Sequence, residues 1–278
     1  MDLNTPQRRA DRTSHRRTVQ NLIKRGGTVT KRYREIEERL ETFNRHKITN
    51  TVEDLADAVI EGATGSELTP FIVAVNAELS PDNRVHVAAV EAISQRLRDE
   101  YLNHSAQKNY DAAREAYNDL AAKFTAAHTT TPTNTPASEL VGASAKQREA
   151  WLETQTLAPQ LSEALNTLRI AALATTKYSN TDAELLGLAL IPNDANRRDV
   201  WEAWRRENRW GDLIDLGVTL QAPTLDALEP YAEPKPLVQR QIATPDGYSN
   251  VGNPVYFYET ATFDPERLDE HGNPTRVG

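Results

Sequence analysis

The sequence has 278 residues, of which 38% are hydrophobic and 26% charged, which is enough apolar material for a folded core. It has no cysteine, which excludes disulfides, zinc ribbons, thiolate nucleophiles and iron–sulfur clusters. The net charge of −8 is unevenly divided, because residues 1–34 carry a net +8 and the other 244 residues carry −16.

The first predicted element is a basic helix. Thr5-Pro6 has the pattern of a helix start, and Gly26-Gly27 has the pattern of a helix end, after which Thr28 is expected to cap the next helix. An apolar stripe follows the arginines on roughly the same face, so we expect the first turns to project from the body. The candidate contacts for phosphates or for an acidic partner are Arg8, Arg9, Arg12, Arg16 and Arg17.

The second helix carries an apolar seam with the spacing 4, 3, 4, 3 from Val29 to Phe43. One interpretation is a helix or helical hairpin with a single buried seam, and the other is a self-associating coiled coil. The candidate partner contacts on this seam are Tyr33, Ile36, Leu40 and Phe43. Residues 1–48 are therefore predicted to form a basic N-terminal helical arm or hairpin.

Residues 49–128 are predicted to form a helical body. Two short helices are expected over residues 50–79, the second opened by Thr69-Pro70, although a buried strand is the alternative for it. Ser80-Pro81 then opens a long helix to about Ala127. Its two apolar stripes are out of phase near residues 103–105, so the helix either stutters there or folds back.

Residues 129–143 contain the run TTTPTNTP and are predicted to be a linker. Residues 144–217 are predicted to form a second helical segment, with a kink or a restart at Pro159 and a capping box at Thr181–Glu184. Residues 196–216 are expected to form one helix that carries three tryptophans. Trp210 is a candidate partner contact, because tryptophan next to arginine is typical of interface anchors.

Residues 218–278 hold eight of the fifteen prolines and are predicted to form an extended C-terminal arm with one short strand. The arm is either disordered or ordered by lying on another surface. Its aromatic content favours docking by strand addition or in an extended groove. The candidate contacts in the strand are Val255, Tyr256, Phe257 and Tyr258.

No nucleophile elbow, P-loop or paired-histidine motif is present in the sequence. The acidic residues of the segment 264–271 lack the ligand spacing of a calcium loop. We therefore expect no enzymatic activity, no metal site and no cofactor. The Arg-rich first 25 residues lack the apolar core of a signal peptide, and no apolar run is long enough to span a bilayer.

The predicted fold is mainly α, with elongated helical hairpins or a bundle followed by a long, extended, Pro-rich arm. Arms at both ends of a helical body are typical of assembly subunits, an analogy of architecture and not a motif match. The sequence thus favours a structural protein that contacts copies of itself or other subunits, of the phage virion or scaffold type. It would reside in the cytoplasm or within a virion. The alternative is an accessory protein that binds nucleic acid non-specifically through the basic helix.

Overall fold

A computed structural model of the chain describes the backbone of residues 6–45, 51–79, 84–248 and 254–277, and side chains within 14–45, 51–76, 86–243 and 256–277. The described chain is mainly helical, as predicted, and has a small antiparallel sheet near its C-terminus. The helices are α1 (Pro6–Lys24), α2 (Lys31–Arg45), α3 (Thr51–Ile60), α4 (Thr69–Leu79), α5 (Arg84–His104), α6 (Ala106–Thr130), α7 (Ala137–Gly142), α8 (Ala145–Ala174), α9 (Asp182–Ala189), α10 (Arg197–Trp204) and α11 (Arg209–Asp215). The strands are β1 (Leu190–Ile191), β2 (Thr219–Leu220), β3 (Val238–Tyr248), β4 (Pro254–Leu268) and β5 (Pro274–Val277).

The chain divides into two compact units. Unit 1 comprises Met1–Ala112 together with Ile170–Tyr178, and unit 2 comprises Ala113–Arg169 together with Ser179–Gly278. Each unit is therefore built from two separate stretches of sequence, and these boundaries differ from the five segments that the sequence predicted.

The turn between α1 and α2 forms at the predicted glycines. Gly26 has φ +96°, a conformation that glycine adopts without strain, and the Gly27 N–H donates to the carbonyl of Leu22. The cap of α2 differs from the prediction, because the hydroxyl of Thr30 accepts from the Tyr33 N–H at 3.0 Å. The Thr28 N–H donates instead to Asn109, whose side-chain oxygen lies 2.8 Å away.

The seam of α2 packs within its own chain. Tyr33 and Leu40 are buried, and so are Val19 and Leu22 of α1, with both helices in contact with α5. Within the chain, the structure therefore has the helix with one buried seam, and Tyr33 and Leu40 are used in its own core. An intramolecular core accounts for the heptad-like spacing, because apolar residues on one buried face of any helix recur every three or four positions.

The junction of α5 and α6 is a one-residue irregularity at Ser105 and not a hairpin. The Ser105 N–H donates to the carbonyl of Tyr101 at 2.9 Å, and the Asn109 N–H donates to the carbonyl of Ser105 at 3.0 Å. These are the i→i−4 bonds of an α-helix. The predicted start at Ser80-Pro81 lies outside the described residues.

The segment 129–143 is packed, which corrects the prediction of a linker. Helix α6 continues to Thr130, residues 137–142 form α7, and the side chains of Thr131 and Thr133 are buried. The indole N–H of Trp151 donates to the carbonyl of Thr133 at 3.2 Å. The backbone carbonyl of Thr133 is thus satisfied although the residue is buried, whereas the hydroxyl of Thr131 has no hydrogen-bond partner among the described residues.

The tryptophan segment is two helices and not one. Asn196 caps α10 by accepting from the N–H groups of Arg198 and Asp199. The N–H groups of residues 205 and 206 then bond three residues back, which ends the helix before α11 begins. This break lets the rings of Trp204 and Trp210 meet edge to face at 5.7 Å, which a straight helix would prevent.

The C-terminal region is also more ordered than the predicted arm. β3, β4 and β5 form an antiparallel sheet in that order, and the predicted strand at 255–258 is part of the 15-residue β4. The prolines occupy tolerated positions, since Pro254 and Pro274 begin strands and Pro245 borders a register shift.

The preceding stretch, residues 221–237, runs along helices of unit 2. The Tyr231 N–H donates to the carbonyl of Ala183 at 2.7 Å, and the Trp201 indole donates to the carbonyl of Ala232 at 3.1 Å. Gly187 of α9 makes this approach possible, because a Cβ there would lie 2.0 Å from the carbonyl oxygen of Glu229.

We predict that Gly187→Ala destabilises the protein by about 1–3 kcal/mol, because the methyl group would displace the backbone at Glu229. The matched control is Gly142→Ala at the end of α7, where a Cβ meets no atom within 4 Å. Its effect should stay within about 0.5 kcal/mol. Urea unfolding followed by circular dichroism measures both variants. Equal stability of the two would contradict the close approach.

Candidate functional site

The predicted arginines of α1 are not equivalent. Arg8, Arg9 and Arg12 lie in the helix, and their side chains are outside the described residues. Arg17 is exposed. Arg16 is half-buried and bonded to two carboxylates of α2, Glu37 at 3.0 Å and Glu41 at 2.7 Å. The prediction is therefore corrected for Arg16, whose charge is neutralised within the chain.

The predicted contacts on the seam face inward. Tyr33 and Leu40 are 1% and 2% exposed, so the structure places them in the core of unit 1 and not on a free surface. Ile36 and Phe43 are half-buried, and the ring of Phe43 stacks on His86 at 4.7 Å. The apolar spacing that suggested a partner is explained by packing on α5.

Trp210 is also a core residue of its own chain, at 3% exposure. Its indole N–H donates to the hydroxyl of Ser162 at 2.9 Å, and Arg209 lies over the rings of both Trp204 and Trp210 at 4.7 and 4.8 Å. The neighbouring arginine that suggested an interface anchor thus binds these rings by cation–π contact within unit 2.

The strand aromatics, in contrast, are exposed. Tyr256, Phe257 and Tyr258 have 47%, 60% and 71% of their surface accessible, while the side chain of Val255 lies outside the described residues. Alternation along β4 places Tyr256 and Tyr258 on one face of the sheet and Phe257 on the other.

One edge of β4 is open beside these aromatics. β3 pairs with β4 from Pro254 to Phe263, whereas β5 pairs with the opposite edge only from Thr262 onward. Within the described part of the chain, the outer edge of β4 over residues 254–261 has no strand partner. Such an edge presents unpaired backbone N–H and C=O groups.

A second apolar surface lies on the hairpin of α3 and α4, which the sequence predicted as ordinary packed helices. The large exposed residues, from 46% to 80% accessible, are Val52, Val59, Ile60, Ile72 and Val73. The apolar stripe of α3 is therefore not a buried face, since Val52, Val59 and Ile60 are all exposed. The two short helices have mainly each other and the adjacent turn as neighbours among the described residues. The periodicity of a sequence does not show whether another element covers the apolar face of a helix.

His128 forms a polar relay that sequence analysis missed. Nδ1 lies 2.9 Å from the Thr133 hydroxyl and 3.1 Å from the Thr133 N–H, while Nε2 lies 2.9 Å from a carboxylate oxygen of Asp215. The order hydroxyl, imidazole, carboxylate is the one that nucleophilic catalysis uses. Here His128 and Thr133 are 2% and 9% exposed, and a backbone N–H also occupies Nδ1. The relay therefore fastens the segment after α6 to α11.

The sheet is attached to α10 by ion pairs. Arg198 donates to Asp264 at 2.9 Å, and both side chains are largely buried, at 16% and 3% exposure. Arg197 pairs with Glu266 at 3.2 Å, and Arg267 pairs with Asp199. No local pattern predicts these pairs, because the partners are more than 60 residues apart.

The pKa of Asp264 reflects this arrangement. Burial would raise it, but hydrogen bonds from Arg198 and from the Glu266 N–H, with the charges of Arg198 and Arg267, hold the pKa below its ordinary value. The ionised form is thus favoured in the folded state. Its contribution to stability is present above the ordinary pKa of an aspartate and is lost as the pH falls through the lowered value.

The described residues include neither a membrane-spanning helix nor a group of metal ligands. No helix there is both long enough and apolar enough to cross a membrane. Nor do three or more side chains of His, Asp or Glu within those ranges converge as a metal ion would require.

Comparisons with known proteins found no matching family model, no matching curated protein and no matching solved structure.

We predict that Arg198→Gln lowers the free energy of unfolding by about 2 kcal/mol, because it leaves the buried carboxylate of Asp264 without its charged partner. The matched control is Arg276→Gln, which removes an exposed pair with Glu259 at 2.8 Å and should cost less than about 1 kcal/mol. Urea unfolding at pH 7 measures both variants. Losses of the same size would show that the buried pair has no special role.

Proposed function

We propose that the chain is a non-enzymatic structural protein that assembles with copies of itself through the open edge of β4. The observation that carries the proposal is the run of three exposed aromatic residues, Tyr256 to Tyr258, beside an unpaired strand edge. Exposed aromatic residues and free strand edges are both liabilities for an isolated chain, and both become contacts in an assembly.

Pairing between two copies is supported by the geometry of antiparallel strands. The edge over residues 254–261 can meet the same edge of a second copy around a two-fold axis, since an antiparallel pair is self-complementary. Tyr256 and Tyr258 would then lie on one face of the joined sheet, opposite the same residues of the other copy.

The apolar surface of α3 and α4 supports a role in a larger complex. Groups of large apolar side chains that remain exposed, such as Val59, Ile60 and Val73, are typical of sites where another protein binds. With two such surfaces, one chain can bind copies of itself and another subunit of the same assembly. This arrangement agrees with a protein of the phage virion or scaffold type, which acts inside a cell or a particle.

We predict that the double variant Tyr256→Lys/Tyr258→Lys dissociates the oligomer, because it places four positive charges at the self-paired edge and removes aromatic contacts. The dissociation constant should rise at least about tenfold. The control is Val141→Lys/Leu152→Lys, which makes the same change of charge at residues that are 83% and 58% exposed on α7 and α8.

Light scattering after size-exclusion chromatography, over a range of protein concentrations, measures the mass of each variant. A parent protein that is monomeric throughout would overturn self-assembly. Equal weakening by both double variants would remove the edge of β4 from the interface.

The second candidate function is non-specific binding of nucleic acid by the basic end of the chain. The observation that favours it is the set of exposed cations on α1 and on the start of α2, of which Lys31 and Arg32 also lie 3.6 Å from the carboxylates of Glu35 and Glu100. Those with described side chains are Arg17, Lys24, Lys31, Arg32 and Arg34. Arg8, Arg9 and Arg12 lie further along the same helix. Affinity for phosphates would then fall steeply with salt.

We predict for this function that replacing Arg8, Arg9, Arg12 and Arg17 by alanine weakens binding to DNA and RNA. The number of counterions released on binding, measured by the salt dependence of the affinity, should fall by up to about four. Arg16→Ala is the internal control, because Arg16 is already bonded to Glu37 and Glu41 and should contribute little to phosphate binding. Fluorescence anisotropy across a salt series measures both. Binding by the parent chain that is absent or insensitive to salt would contradict the function.

A further inference from the structure

Unit 1 contains a cavity of about 200 Å³ between α1, α2 and α5. We call it the α1–α2–α5 cavity. Its walls include the apolar side chains of Leu40, Val90 and Leu97. Its polar lining consists of His15, Arg16, Tyr33, Asn44, Ser94 and Arg98. The hydroxyl, amide and guanidinium groups of this lining can all donate hydrogen bonds at neutral pH.

Tyr33 gives the first sign that the cavity takes a ligand. The residue is 1% exposed, and among the described residues its hydroxyl has no hydrogen-bond partner. A buried hydroxyl without a partner is costly, and such groups are rare in native proteins. Burial, the largest influence, and the nearby Glu37 carboxylate raise the pKa of this phenol, so it stays protonated and can donate.

Arg98 gives the second sign. It is half-buried, and no carboxylate of the described residues forms an ion pair with it. Arg16, on the same cavity, differs because Glu37 and Glu41 bind it at 3.0 and 2.7 Å. The cavity therefore holds one cation that is compensated and one, Arg98, that has no carboxylate partner within the described part of the chain.

His15 adds no further positive charge to the cavity. Its Nε2 lies 3.0 Å from the carbonyl oxygen of Ala174, so this nitrogen carries the proton and donates. Burial lowers the pKa of the imidazole, a backbone hydrogen bond opposes this, and the charge of Arg98 lowers it further. The ring is thus neutral near pH 7, and Arg98 is the cation that a ligand would meet.

We infer that the α1–α2–α5 cavity binds a small oxyanion, the phosphate or carboxylate group of a small molecule. The guanidinium of Arg98 binds the anion, and the hydroxyls of Tyr33 and Ser94 donate to its oxygens. Guanidinium matches the geometry of both groups, and a charged acceptor gives the Tyr33 hydroxyl the partner that it lacks. This site is independent of the assembly proposed above, since its residues are in unit 1 and the edge of β4 is in unit 2.

Isothermal titration calorimetry with inorganic phosphate and with sodium acetate, at constant ionic strength, tests the site on the full chain. We expect saturable binding of at least one anion, and the comparison shows which oxyanion is preferred. Arg98→Gln should weaken binding at least about tenfold, because it removes a charge-assisted hydrogen bond. The matched control is Arg96→Gln, on an exposed position of α5, which should keep the affinity within about twofold.

Tyr33→Phe supplies a second measurement that a purely structural role would not reproduce. In the absence of anion it should preserve or raise the Tm, because it deletes a buried group without a partner. The affinity of this variant for the anion should be lower than that of the parent protein.

Three results would overturn the inference. One is the absence of saturable binding of either anion, which would mean that the cavity holds only water. Another is equal weakening by Arg98→Gln and Arg96→Gln. The third is unchanged affinity in Tyr33→Phe.

Discussion

The pairing of Arg198 with Asp264 is the interaction on which the arrangement of the C-terminal third depends. It joins α10 to the middle strand of the sheet, and two further ion pairs lie beside it on the same helix. Among the described sheet residues, Ala261 is the one apolar side chain that is fully buried. The sheet is therefore held on the helices largely by charge and hydrogen bonding, and Tyr256, Phe257 and Tyr258 are not used for attachment.

This mode of attachment explains why Tyr256, Phe257 and Tyr258 can be exposed together. A sheet that docked through its apolar face would have buried one set of alternating residues. Because the ion pairs lie near the end of β4, the start of that strand carries its rings on both faces with an open edge beside them. The ion pairs thus hold the sheet in place, and the aromatic residues at the start of β4 remain exposed for the self-assembly that we propose.

Local signals in the sequence predicted the helices well, and long-range contacts limited the rest. Gly26 and the Thr181–Glu184 box determine where helices begin and end through bonds within a few residues, so the sequence contains the full information. Prolines predicted an extended arm, but the partners that turn it into a sheet are set by pairing between distant residues, such as Val238 with Phe263. The periodic stripe of α3 could not show that Val59 remains exposed, since periodicity is the same whether or not a partner covers the face.

The bond between His15 and the carbonyl of Ala174 has a consequence for how the protein is made. These two residues are 159 positions apart in the chain, and unit 1 includes residues 170–178. During synthesis, the N-terminal helices emerge first but lack this last stretch of their core, which the ribosome releases only after residues 113–169. Completion of the first unit therefore waits until the first stretch of the second one, residues 113–169, has been translated, and the early helices spend that interval with part of their apolar surface uncovered.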